Sequence, residues 1–118
     1  MQDITIYHNP RCSKSRATLD LLISRGHSPR VVEYLAAPPT AAEIDAILRM
    51  LDAEPREIMR RDEDEYRALG LDDPALSRGA LVAAIVSHPR LMQRPIVVAG
   101  AKAAIGRPPE AVLCILPG

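Results

Sequence analysis

Cys12 stands in the run His8-Asn9-Pro10-Arg11-Cys12-Ser13-Lys14-Ser15-Arg16, between an apolar strand and an amphipathic helix. A thiolate is a far better nucleophile than a thiol, so the chemistry depends on what stabilises the charged form. Three basic side chains, Arg11, Lys14 and Arg16, neighbour the sulfur in sequence. The first N–H groups of the helix have no partner within it, and its aligned peptide dipoles leave partial positive charge there. An anion is favoured at that point, whether thiolate or substrate. A free cysteine titrates near 8.5 and is only about 3% ionised at pH 7, and lowering that value by two pH units takes about 2.7 kcal/mol. A helix end gives up to about 2 kcal/mol in a partly buried geometry. His8, Arg11 or Arg16 is expected to give the remainder. The competing reading, an inert cysteine packed as a small hydrophobe, fits poorly at a junction so rich in basic residues.

A thiolate that attacks an oxyanion meets like charge, so its site needs fixed positive groups. Guanidinium stays ionised and grips oxyanions through parallel hydrogen bonds. Three arginines lie at segment junctions: Arg60 in a helical stretch, Arg94 before Pro95, and Arg107 before Pro108-Pro109. With 15 basic residues in the chain, a solvated surface role stands beside the binding role for each. Pro95 opens an apolar strand, where Arg94–Pro95 is either an ordinary trans edge bond or a cis bond that turns the chain sharply beside a neighbouring loop.

The 118 residues suffice for one core and not for two ordinary domains, so a single domain over 1–118 is expected. Phe and Trp are absent, which leaves an aliphatic core with Tyr7, Tyr34 and Tyr66 as the only aromatics. Base stacking has little to use, and a formal net charge of zero creates no global field for nucleic acid or anionic membrane. No run approaches the roughly 20 apolar residues of a membrane helix, and no signal segment opens the chain, so a cytoplasmic location is expected. Cys12 and Cys114 lie far apart, which suits a reducing compartment. His8, His27 and His88 form no metal-ligand spacing with either cysteine.

The elements that must position these groups follow in order. Ile4-Thr5-Ile6-Tyr7 reads as a strand, followed by a helix through Leu19, Leu22 and Ile23 that Gly26 stops. Arg30 to Leu35 reads as a second strand, and Pro38-Pro39-Thr40 breaks the chain and caps a helix carrying Ile44, Ile47, Leu48 and Leu51. One or two short helices run from Pro55 to before Gly70, anchored by Ile58, Met59, Tyr66 and Leu69. Ser77 caps another through Leu81, Ile85 and His88, ended by Pro89. Ile96 to Val98 and Ala101 to Ile105 form a hairpin around Gly100. A last helix begins at Pro108 and docks Val112, Ile115 and Leu116, with Cys114 in the core or half-buried. The order is βαβ, a helical insertion over about 40–90, then ββα. This is the order of an α/β, thioredoxin-like fold with a helical insertion between its two halves.

With Cys12, Arg60, Arg94 and Arg107 in view, nearly the whole chain resembles the glutaredoxin-coupled arsenate reductases of the bacterial ArsC type. The strongest parts are Ile4 to Pro10 through Cys12, Met92-Gln93-Arg94-Pro95-Ile96-Val97-Val98, and Gly106-Arg107-Pro108-Pro109-Glu110. The basic loop and short length are most similar to the family's short YfgD-like branch. The resemblance implies that Cys12 is the nucleophile, that His8 and Ser15 tune it, and that Arg60, Arg94 and Arg107 bind the oxyanion, with Ser13 and Lys14 lining the cradle. It also implies reduction of arsenate to arsenite through a Cys12 adduct, with glutathione as co-substrate, glutaredoxin as partner and no bound cofactor or metal. Two other readings share Cys12: a glutathione-dependent thiol-disulfide oxidoreductase, and a regulatory binding protein of the Spx type. The pattern Cys12-Ser13-Lys14-Ser15 lacks the second thiol of the Spx-type loop, so no disulfide can close within it.

Overall fold

β-branched Ile4, Thr5 and Ile6 suit a pleated strand, and β1 runs Ile4–His8 in a computed structural model that describes residues 3–93 and 95–116. β1 is an inner strand of a four-stranded sheet ordered β2-β1-β3-β4. It pairs in parallel with β2 (Arg30–Glu33) and antiparallel with β3 (Ile96–Ala99), which pairs antiparallel with β4 (Lys102–Ile105). A parallel neighbour requires a crossover, and α1 (Ser13–Ser24) provides it. The tight β3–β4 connection turns at Gly100, whose φ of 61° suits a residue without Cβ. The sheet and its helices form the thioredoxin-like arrangement that the element order predicts.

The chain forms two compact units, Met1–Ala37 with Arg94–Gly118, and Pro38–Gln93. In the first, Ile4 and Ile6 of β1, Val97 and Ala99 of β3 and Ala104 of β4 share a core with Leu22, Val112 and Ile115. Fully burying one such side chain contributes about 1.5–3 kcal/mol. β2 forms one edge of this sheet and is largely exposed.

In the second unit, α2 (Ala41–Leu51) opens with a capping box: Glu43 N–H donates to Thr40 Oγ1 at 3.1 Å, and Thr40 N–H donates to Glu43 Oε1 at 3.0 Å. A 3₁₀ turn at Pro55–Ile58, α3 (Asp64–Ala68), α4 (Arg78–Ser87) and a second 3₁₀ turn at Pro89–Leu91 follow. Ser77 caps α4 by accepting from Ala80 N–H. The unit is tied by a bridge between Met59 and Met92, flanked by Arg60 N–H donating to Leu91 C=O and Gln93 N–H to Ile58 C=O.

Five expectations need correction. α1 buries Ser15, Thr18 and Leu22, so its inward stripe is partly polar, while Ile23 is 56% exposed. Apolar counting rotates the stripe because it does not foresee that both hydroxyls find internal partners. The second strand stops at Glu33, where Ala36 and Ala37 N–H groups turn back onto the Glu33 carbonyl, which leaves Leu35 outside the strand and exposed. Leu69 is exposed too, because Gly70 at φ 63° reverses the chain and Leu71 takes the buried place. The last helix is 3₁₀, spanning Pro109–Ile115, rather than α. Three residues per turn align Val112 with Ile115 toward the core and turn Cys114 outward. Cys114 is exposed, not half-buried, and its Sγ donates to Ala111 C=O at 3.1 Å.

Candidate functional site

Asn9 and Pro10 build the loop that delivers Cys12 to the helix. Asn9 C=O accepts Cys12 N–H at 3.0 Å and Asn9 Oδ1 accepts Arg11 N–H at 3.0 Å, a turn in which Pro10 sets φ in advance. Arg16 reaches back from α1 and donates from Nη1 to Pro10 C=O at 2.9 Å. Cys12 is the N-cap of α1, with φ −94° and ψ 124°, and its side chain makes no capping bond. Arg16 N–H is the first to enter the helical ladder, on Cys12 C=O at 3.0 Å. The N–H groups of Ser13, Lys14 and Ser15 therefore lie at the helix end with no intrahelical acceptor.

Cys12 is 9% exposed, and its sulfur receives Arg107 Nη2 at 3.8 Å. Arg107 follows β4 and is itself exposed, so a permanent cation is held beside a nearly buried sulfur while its other face meets solvent. Sequence reasoning singled out both residues, and the structure brings them together. Arg16, by contrast, holds the loop through Pro10, and Arg11 points to solvent.

His8 ends β1 and lies 2.6 Å from Ser15 Oγ through Nδ1. Asn9 N–H donates to the same Oγ at 3.0 Å, so Ser15 accepts there, and its single hydroxyl hydrogen is available to Nδ1 when the ring proton sits on Nε2. Ser15 is fully buried and His8 buried. Burial, assisted by Arg16 and opposed by Glu33 and Asp20, holds the imidazole below its ordinary 6.5. Burial thus favours the neutral ring. His8 joins Ser15 in a network that ties the strand end to the first helical turn.

Ser13 and Lys14 lie exposed on that turn, and Lys14 C=O accepts the Thr18 hydroxyl at 2.8 Å. Pro95 is buried, and its C=O accepts Gly106 N–H at 2.9 Å. Arg94, and with it the Arg94–Pro95 bond, lies outside the described residues. A cis bond is found at Arg107–Pro108. Arg60 belongs to the second unit, where its guanidinium pairs with Glu63. Among the described residues no group of His, Cys, Asp or Glu is arranged to hold a metal ion, and no helix is long and apolar enough to cross a membrane.

Two participants in the geometry escaped sequence reasoning as site residues: Thr18, fully buried on α1, and Gly106, which packs against it. The signal was present as hydroxyl residues at helical spacing with Leu22, and a glycine directly before the arginine.

The ArsC family model matches residues 7–115. Protein YfgD of Escherichia coli (strain K12) is 53% identical over 116 residues, 98% of each chain. An arsenate reductase of Neisseria meningitidis serogroup A is 50% identical over 117 residues, covering 98% of this chain and all of its own. The solved structure of an arsenate reductase from Vibrio cholerae superposes with a TM-score of 0.95 at 47% identity, over 98% of each chain. The family model spans most of the chain, and these relatives align over nearly all of it, so the chain belongs to the ArsC family.

Proposed function

We propose that this protein is an arsenate reductase in which Cys12 attacks arsenate, with glutathione and glutaredoxin as the reducing system. The observation that carries the reading is the Cys12 sulfur at the N-terminus of α1 with Arg107 Nη2 at 3.8 Å. Arsenate reductases of Neisseria meningitidis and Vibrio cholerae that align over nearly the whole chain support the choice of oxyanion.

The helix-end N–H groups and Arg107 stabilise negative charge on sulfur and then on the arsenate oxygens as they gather charge in the transition state. Family resemblance assigns Arg94 to the same anion, with Ser13 and Lys14 at the rim. Cys12 sulfur bonds to arsenic and an arsenate oxygen leaves as water after taking up protons, which gives an S–As adduct still at As(V). Glutathione sulfur then attacks Cys12 sulfur, the S–As bond breaks, and its electron pair stays on arsenic. The products are a Cys12–glutathione disulfide and arsenous acid, As(III). Glutaredoxin thiolate takes the glutathionyl group and returns Cys12 as a thiol. An external reductant suits a loop that carries Ser15 where a Cys-x-x-Cys pair has its second sulfur.

The test is purified protein with arsenate, glutathione and glutaredoxin, beside Cys12→Ser. Arsenite should form with the parent and not with the variant. Arsenite formation by Cys12→Ser, or turnover of a glutathionylated peptide by a parent that leaves arsenate untouched, would overturn the assignment.

A further inference from the structure

We infer that Gly106 is a positioning residue that seats Arg107 over Cys12 by packing against Thr18, an inference that rests on the proposed role of Cys12 as the attacking thiolate. Gly106 is buried, and its N–H donates to Pro95 C=O at 2.9 Å, which continues the Ile96–Ile105 pairing by one residue. The end of β4 is therefore fixed on the sheet side. On the other side it faces α1. A Cβ at Gly106 would lie 2.6 Å from Thr18 Oγ1, 2.8 Å from Pro95 Cγ and 3.1 Å from Thr18 Cγ2.

None of these neighbours yields cheaply. Thr18 is β-branched, fully buried and held by its hydroxyl on Lys14 C=O at 2.8 Å. Pro95 is a closed ring. The demand at Gly106 is for space and not for an unusual backbone, since it is not among the glycines with positive φ. Any side chain must push the strand end away from α1, and the next residue along is Arg107, whose guanidinium meets the sulfur in the first turn of that helix. Gly106 and Thr18 thus set the distance between a cation on the sheet side and a sulfur on the helix side. The polar inward face of α1 acquires a reason: Thr18 gives a rigid, hydrogen-bonded surface there.

The experiment compares Gly106→Ala with Gly106→Ala/Thr18→Ala, both in a Cys114→Ser background, and reads thermal unfolding, the pH dependence of Cys12 alkylation by iodoacetamide, and arsenate turnover. Gly106→Ala should raise the pH of half-maximal alkylation by about a quarter to half a pH unit, as an arginine displaced by somewhat under 1 Å would. It should lower kcat/KM about tenfold to a hundredfold. The double variant, with both Thr18 contacts removed and the Pro95 Cγ contact left, should recover part of both. An alkylation change with no arsenate turnover even in the parent would support the positioning role while overturning the substrate. A Gly106→Ala protein that unfolds beside a folded double variant with parental alkylation also supports it. A folded Gly106→Ala protein with parental alkylation and turnover, or a double variant that recovers neither, would overturn it, as would loss of folding in both.

Discussion

Replacing Arg107 by Gln removes the charge and leaves a shorter side chain that still carries an N–H donor. At 3.8 Å from Cys12 Sγ, a unit charge contributes about 4 kcal/mol to a thiolate at an effective dielectric constant of 20 and about 1 kcal/mol in bulk water. Arg107 faces solvent while Cys12 is 9% exposed, which places the interaction between these limits, at about 2 kcal/mol. That corresponds to a rise of about 1.5 pH units in the half-alkylation point of Cys12. The measurement is the rate of iodoacetamide alkylation between pH 5 and 10. It needs the Cys114→Ser background because Cys114 is exposed and would react too. Serine can keep the bond to Ala111 C=O. The parent should titrate below the ordinary cysteine value and Arg107→Gln well above the parent, with a raised KM for arsenate. A half-alkylation point within about 0.3 pH units of the parent would refute the assignment of Arg107 as the stabilising cation.

Two predictions concern the neutral half of the site. The His8 imidazole takes a proton near 6.5 in the unfolded chain and at lower pH in the native protein, mainly because it is buried. Its contribution is therefore complete above pH 6.5 and is lost as pH falls through the lowered native value, with a slope of at most about 1.4 kcal/mol per pH unit. Urea melts from pH 7.5 to 5 should show this loss in the parent but not in His8→Asn, and matching slopes would exclude His8 as the origin. Ser15→Ala removes the partner of both Asn9 N–H and His8 Nδ1 in a fully buried place. Urea denaturation at pH 7 should show a loss of about 1–3 kcal/mol, and a change below about 0.5 kcal/mol would count against this network.

Local signals were the legible ones. The run from Asn9 to Cys12 announces a turn, Thr40 and Ser77 announce helix starts, and each does what its chemistry predicts. The order of elements along the chain was legible too, βαβ before the helical stretch and two strands after it. Features set by close packing across the fold were hidden. Ile23 had helical spacing and still faces outward, because Thr18 and Ser15 take the inward stripe once their hydroxyls are satisfied. Cys114 looked buried on an α-helical period, and a 3₁₀ period turned it outward. The charge state of His8 depended on burial, which its basic neighbours in the sequence did not reveal.

The placement of charge in the first unit follows one physical preference. A cation buried beside sulfur would cost several kcal/mol in lost hydration, which its attraction to the thiolate must then offset. Here the permanent cation, Arg107, is exposed, and burial favours the neutral form of His8 at the end of β1. The remaining positive potential comes from helix N–H groups, which carry no net charge to bury. On the proposed mechanism, Cys12 can therefore ionise without a stable ion pair forming in the interior. A buried arginine at the same distance would favour the thiolate more strongly and be less free to release it, a poor exchange for a sulfur that must give up its negative charge on bonding to arsenic.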